Sequence, residues 1–126
     1  VRTTDRTSYR AVLMVRDLAS DDFLIEQGEP AMEAFLILGG RAEVILNGVK
    51  IADVGEGDIV GESALFKGSD YGASVKAVSP ITVQSITPDI LDEKIKACDP
   101  MLRALIRMMM IRLRKANNAL GELKNT

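Results

Sequence analysis

Residues 41–54, RAEVILNGVKIADV, decide how the rest of the chain is read. Arg41 to Leu46 alternates polar and apolar side chains, the period-2 pattern of a strand with one buried face. Asn47-Gly48 follows, and both positions tolerate positive φ, as a type I′ turn requires. Val49 to Val54 then returns as the partner strand. This is the strongest hairpin signal in the chain, and it sets an all-β expectation for the sequence on either side.

Toward the N-terminus, Gly39-Gly40 marks a tight turn or bulge after a strand at Glu33–Leu38. Before that, Gly28-Glu29-Pro30 ends a short strand at Phe23–Gln27, and Ala19-Ser20-Asp21-Asp22 is a turn. Arg10 to Leu18 reads as a strand, with Ala11–Val15 alone also compatible with helix. Toward the C-terminus, Gly55-Glu56-Gly57-Asp58 turns the chain into a short strand, Ile59-Val60. Residues 61–70 are irregular, with room for one helical turn at Ser63–Phe66. Ala73–Val78 and Ile81–Ile86 are further β-branched runs, separated by Ser79-Pro80. The pattern then becomes helical. Thr87 stands as an N-cap with Pro88 in the first helical position, and Asp99-Pro100 repeats that signal to open a last helix reaching about Leu123. The expected fold is mainly β with C-terminal α-helices, one domain over residues 1–126.

Composition removes several function classes. The chain has 126 residues, enough for one domain to bury its own core. Histidine is absent, which excludes imidazole metal sites, Ser-His and Cys-His pairs and a histidine general base. No carboxylate pair stands beside a nucleophile or metal cluster, so the chain is not expected to be an enzyme. The single Cys98 forms no internal disulfide and no metal cage; an intracellular, cytoplasmic location is expected, with no metal and no cofactor. There is no Trp and 4% aromatic content, a poor stacking surface for single-stranded nucleic acid. No apolar run approaches the ~18–20 residues of a membrane span, and no signal-peptide pattern opens the chain. Gly55-Glu56-Gly57 with Gly61 superficially suggests a dinucleotide loop, but no βαβ unit surrounds it.

The net charge of −2 hides an asymmetry. Residues 1–91 carry 8 basic and 14 acidic side chains, a net −6, whereas residues 92–126 carry 8 basic and 4 acidic, a net +4. The last helix also carries a heptad seam: Leu102, Ile106, Met109, Leu113, Ala116, Leu120 and Leu123 fall at alternating spacings of four and three. Two readings follow. Met101–Ile111 packs on the β-rich part, and Leu113–Leu123 pairs with the same helix of a second copy, giving a homodimer. With an acidic β-rich part and no helix-turn-helix after the long helix, no nucleic-acid partner is expected through this chain.

Many short strands followed by a terminal helix resembles the cyclic-nucleotide-binding domain family, and three strings carry the likeness. Residues 18–30, LASDDFLIEQGEP, are similar to the family's second-strand segment. Residues 35–44, FLILGGRAEV, are similar to its next hairpin, and residues 54–65, VGEGDIVGESAL, to the lead-in to its phosphate-binding cassette. The likeness covers about residues 10–120. It implies a β-roll (a double-stranded β-helix of jelly-roll type) over about residues 9–87, with helices over about 88–124.

The resemblance also implies a ligand site. In the family a Gly-Glu pair, a short helical turn and an Arg-Ala-Ala/Ser stretch hold the nucleotide, the Glu accepting a ribose hydroxyl and the Arg the cyclic phosphate. Backbone N–H groups at a helix start favour an anion, and a guanidinium fork matches phosphate oxygens. Gly61, Glu62, Ser63 and Ala64 stand where the first half belongs. The second half departs: Tyr71 takes the Arg position, followed by Gly72 and Ala73, and no Arg occurs between Arg41 and Arg103. Lys67 and Lys76 are the nearest cations along the chain. Ala73 lies where relatives that prefer cGMP often carry Thr, so the resemblance favours cAMP over cGMP. The function implied is a cyclic-nucleotide sensor whose ligand repositions the C-terminal helix. The alternative is a nucleotide-blind module used for dimerisation or protein docking.

Overall fold

The structure, a computed structural model, describes residues 14–65 and 69–124, with side chains through residue 116. The part of the first expected strand before Met14 lies outside these residues, as does Phe66. Eight strands come first: β1 (Met14–Leu18), β2 (Phe23–Ile25), β3 (Ala34–Gly39), β4 (Arg41–Leu46), β5 (Val49–Gly55), β6 (Ile59–Val60), β7 (Ser74–Ala77) and β8 (Ile81–Ile86). A four-residue 3₁₀ turn at Glu62–Leu65 lies between β6 and β7, and two helices follow, α1 (Pro88–Ala97) and α2 (Pro100–Lys124). The elements expected from the pattern are present with several shifted edges: β3 lies one residue later than expected and β5 runs one residue further, to Gly55. β2 stops at Ile25 rather than Gln27, because Glu26 already turns the chain. β7 is trimmed by one residue at each end, and the helical turn begins one residue early, at Glu62.

The chain divides into two compact units at Ile90/Leu91. In the first, the strands form two antiparallel four-stranded sheets, in the orders β1-β8-β3-β6 and β2-β7-β4-β5. Both contribute to one core: Phe35, Ile37, Ile81 and Val83 from the first sheet meet Ile25, Ala42, Val75 and Ala77 from the second. Alternation explains the choice of side chains. Along β8 every second residue is buried, from Ile81 through Val83 to Ser85, as a strand with one core face must be. Ser85 is the one buried polar residue recorded among the described residues, and its hydroxyl is satisfied by the Glu33 carboxylate. Fully burying a Val or Ile side chain contributes about 1.5–3 kcal/mol, so this cluster is the main source of the roll's stability.

The Asn47-Gly48 turn has φ of 51° and 82°, the left-handed pair of a type I′ hairpin. Gly40 is fixed by close packing as well as by its φ of 92°: a Cβ there would lie 2.3 Å from the Pro80 carbonyl oxygen. The turn into β4 therefore sits directly on the turn into β8.

The helices start where the capping residues stand. Thr87 Oγ1 accepts from the Ile90 N–H at 3.2 Å. In the second unit, Asp99 Oδ2 accepts from Met101 N–H at 3.0 Å and Leu102 N–H at 3.4 Å. Each cap satisfies donors that the first helical turn leaves without partners. Of the seam on α2, Leu102, Met109 and Leu113 are 48%, 59% and 46% exposed in a single copy, and Ala116 is exposed. Ile106 is half-buried. The side chains of Leu120 and Leu123 lie outside the described residues.

Candidate functional site

The site begins at a two-residue strand. β6 pairs with β3 through Val60–Phe35 and Ile59–Leu36, so Gly61 emerges at a position set by the core. Its φ is +75°, and a Cβ there would lie 2.7 Å from Ile25 Cδ1, 3.2 Å from Tyr71 Cε1 and 3.3 Å from the Glu33 carbonyl oxygen. Only glycine fits. The chain then tightens into the 3₁₀ turn, with Ala64 N–H donating to the Gly61 carbonyl at 3.0 Å. Ala64 is buried, Ser63 half-buried and Glu62 exposed.

Tyr71 returns to the same place from the other side. Its backbone is fastened to the loop after β2: Tyr71 N–H donates to the Glu29 carbonyl and Gly28 N–H donates to the Tyr71 carbonyl, both at 2.9 Å. Its ring lies beside Gly61 and packs against the core cluster. Its hydroxyl donates to the Glu33 backbone carbonyl at 2.6 Å and accepts from the Glu33 N–H at 3.4 Å. A tyrosine packed against a core needs such a partner, and the result is a phenol committed to the protein rather than offered to a ligand. Gly72 is exposed with open space where a side chain would go, and Ala73 is half-buried just before β7.

The structure thus brings together the two halves expected from the sequence, Gly61–Ala64 and Tyr71–Ala73. It does not bring Lys76 to them. Val75 and Ala77 are buried, so Lys76 points to the opposite face of β7, where its ammonium lies 4.0 Å from Asp21 and 5.9 Å from the Phe23 ring. Lys67 lies outside the described residues. Two further residues matter that sequence reasoning did not single out. Glu33 is the partner of Tyr71, and Gln27 donates its N–H to Ser74 Oγ at 2.9 Å, immediately after Ala73. A tyrosine standing in for an arginine announces that its hydroxyl needs a partner; only the fold says which.

Other places were open to a site. An open cavity of about 530 Å3 beside β1 and β2, lined by residues that include Arg16, Asp21, Phe23 and Glu26, shares no residue with the cassette. Among the described residues no group of three or more acidic or thiol side chains is placed to hold a metal ion, and no helix is long and apolar enough to cross a membrane.

Comparison with known proteins gives a consistent picture. The family model described as the cyclic nucleotide-binding domain matches residues 15–98. No curated protein matches the chain. Among solved structures, the EAL enzyme Bd1971 in its half-site-occupied form is 27% identical with a TM-score of 0.76, over 82% of this chain and 96% of that one. The cGMP-bound form of the same enzyme is 27% identical with a TM-score of 0.61, over 87% of this chain but only 31% of that one. The N-terminal domain of a transcriptional regulator from Streptomyces coelicolor A3(2) is 24% identical, with a TM-score of 0.68 over 87% of this chain and 82% of that one.

Proposed function

This chain belongs to the cyclic nucleotide-binding domain family, and from that membership we propose that it is a regulatory sensor that takes a cyclic nucleotide, cAMP in preference to cGMP, at Gly61–Ala64 and Tyr71–Ala73. The observation that carries this reading is the contact of the two cassette halves, Gly61 against the Tyr71 ring, with Glu62 left exposed beside them. A relative, Bd1971, has cAMP-bound and cGMP-bound forms, which supports a nucleotide as the ligand class. Glu62 receives a ribose hydroxyl, and the first N–H groups of the 3₁₀ turn face the phosphate. The event is passed to the C-terminal helices, and the exposed seam on α2 joins two copies into a homodimer. The role is binding and relay in the cytoplasm, with no bond made or broken and no nucleic acid engaged by this chain.

A second reading, a nucleotide-blind module for dimerisation or protein docking, draws support from Tyr71. Truncating a buried charge partner typically costs ~2–5 kcal/mol, or roughly 30- to several-thousand-fold in affinity. A phenol already bonded to Glu33 does not replace it. Thermal unfolding with millimolar cAMP or cGMP separates the two readings. A ligand at about 100 times its dissociation constant stabilises by ~2.7 kcal/mol, a shift of several degrees in a domain of this size. The sensor reading expects that shift, larger with cAMP. No shift with either nucleotide in the native chain establishes the blind module. Tyr71→Arg, which restores the fork, should tighten cAMP binding by at least about tenfold, read by calorimetry. No gain would mean that the two halves do not form a phosphate site.

A further inference from the structure

The Gln27 side chain makes a reciprocal pair with the hairpin tip. Asn47 N–H donates to Gln27 Oε1 at 2.9 Å, and Gln27 Nε2 donates to Asn47 Oδ1 at 2.8 Å. The two bonds are complementary, so each fixes the orientation of the amide that makes the other. The backbone around Gln27 is held just as firmly to the candidate site. Gln27 N–H donates to Ser74 Oγ, and the Gly28 and Glu29 backbones bracket Tyr71. Sheet pairing between β4 and β7 ends at Ile45–Ser74, so beyond that point the Gln27 amide is the link between the tip and the site loop. At the tip, Leu46 and Val49 pair across the hairpin and are 37% and 63% exposed.

We infer that Gln27 is a positioning residue that ties the Tyr71–Ser74 segment to the tip of the β4–β5 hairpin, so that a displacement at the ligand site is delivered to the exposed Leu46–Val49 pair. A loop bonded at three points on one side and two on the other transmits displacement as a rigid body, because no single bond can slip without breaking a neighbour. The inference uses the ligand-site reading only for its last arm. The coupling itself is a property of the chain without ligand.

Amide hydrogen exchange on the full chain tests it. Ser74→Ala touches neither Asn47 nor the atoms bonded to it, yet it should accelerate exchange at the Asn47 amide by about threefold or more. The Asp53 amide, at the other end of the hairpin, should keep its rate. In a Gln27→Met background Ser74→Ala should add nothing further at Asn47, because the path is already cut. Ser74→Thr, which keeps the hydroxyl, should keep the native rate. An unchanged Asn47 rate in Ser74→Ala, or an equal acceleration with and without Gln27, overturns the inference. With excess cAMP, the Asn47 and Gly48 amide resonances should shift in the native chain and stay fixed in Gln27→Met, while the ligand still raises the melting temperature of both. A shift that survives Gln27→Met also overturns it. If no nucleotide stabilises either protein, the sensor reading fails and the ligand-free exchange rates decide the coupling alone.

Discussion

Gly61 and Gly72 flank the same site under different constraints. At Gly61 the backbone lies at φ +75° and a side chain would press on Ile25, Tyr71 and the Glu33 carbonyl. Gly61→Ala should destabilise the roll by about 1–3 kcal/mol in urea unfolding, from backbone strain and from displacement of Ile25. At Gly72 the space is open and φ lies outside the left-handed region, so Gly72→Ala should be neutral or stabilising by about 0.4–1 kcal/mol, through the unfolded state. Equal losses in the two variants would show that the local geometry around Gly61 is not what holds it. The sequence made Gly61, Glu62 and Tyr71 legible because their order along the chain carries the family likeness. It could not reveal that the Tyr71 hydroxyl ends on Glu33, since that bond joins positions 38 residues apart. Lys76 shows the same limit, since nearness in sequence says nothing of which face of a strand a side chain leaves from.

At the scale of elements, local chemistry was read with good fidelity. Asn47-Gly48, Thr87-Pro88 and Asp99-Pro100 each encode a boundary in two residues, and each boundary stands where expected. Thr87→Ala removes the oxygen that receives the Ile90 N–H. It should cost about 1 kcal/mol, within the usual range for an N-cap, and lower the melting temperature by a few degrees. Thr87→Ser, which keeps the oxygen, should restore most of it; a loss as large as in Thr87→Ala would place the effect in packing instead. What was not legible is register. The pairing slips between Ile37 and Gly39, between Val44 and Ile45, and between Phe23 and Ile25. Such irregularities depend on the partner strand, which a pattern along one segment does not contain.

For the whole molecule, sheet order was the least accessible feature. β1 lies beside β8 and β2 beside β7, pairings between segments far apart in the chain that no local signal specifies. The second unit raises a question of association. Leu102, Met109 and Leu113 are exposed in one copy, and the seam they share is spaced for a helix partner. If the seam joins two copies, Leu113→Glu should yield monomers in analytical ultracentrifugation, with a mass half that of the native dimer. An unchanged mass would remove the dimer. The attachment of Tyr71 has a last consequence, for descent rather than mechanics. Its main chain is held by Gly28 and Glu29, whatever side chain it carries, and the exposed Glu62 contributes nothing to the core. Selection for a ligand can lapse in such a scaffold without selection for folding lapsing with it. A lineage can then drift through a silent sensor and recover a new specificity by substitutions at the rim, because the frame that would present them is never dismantled.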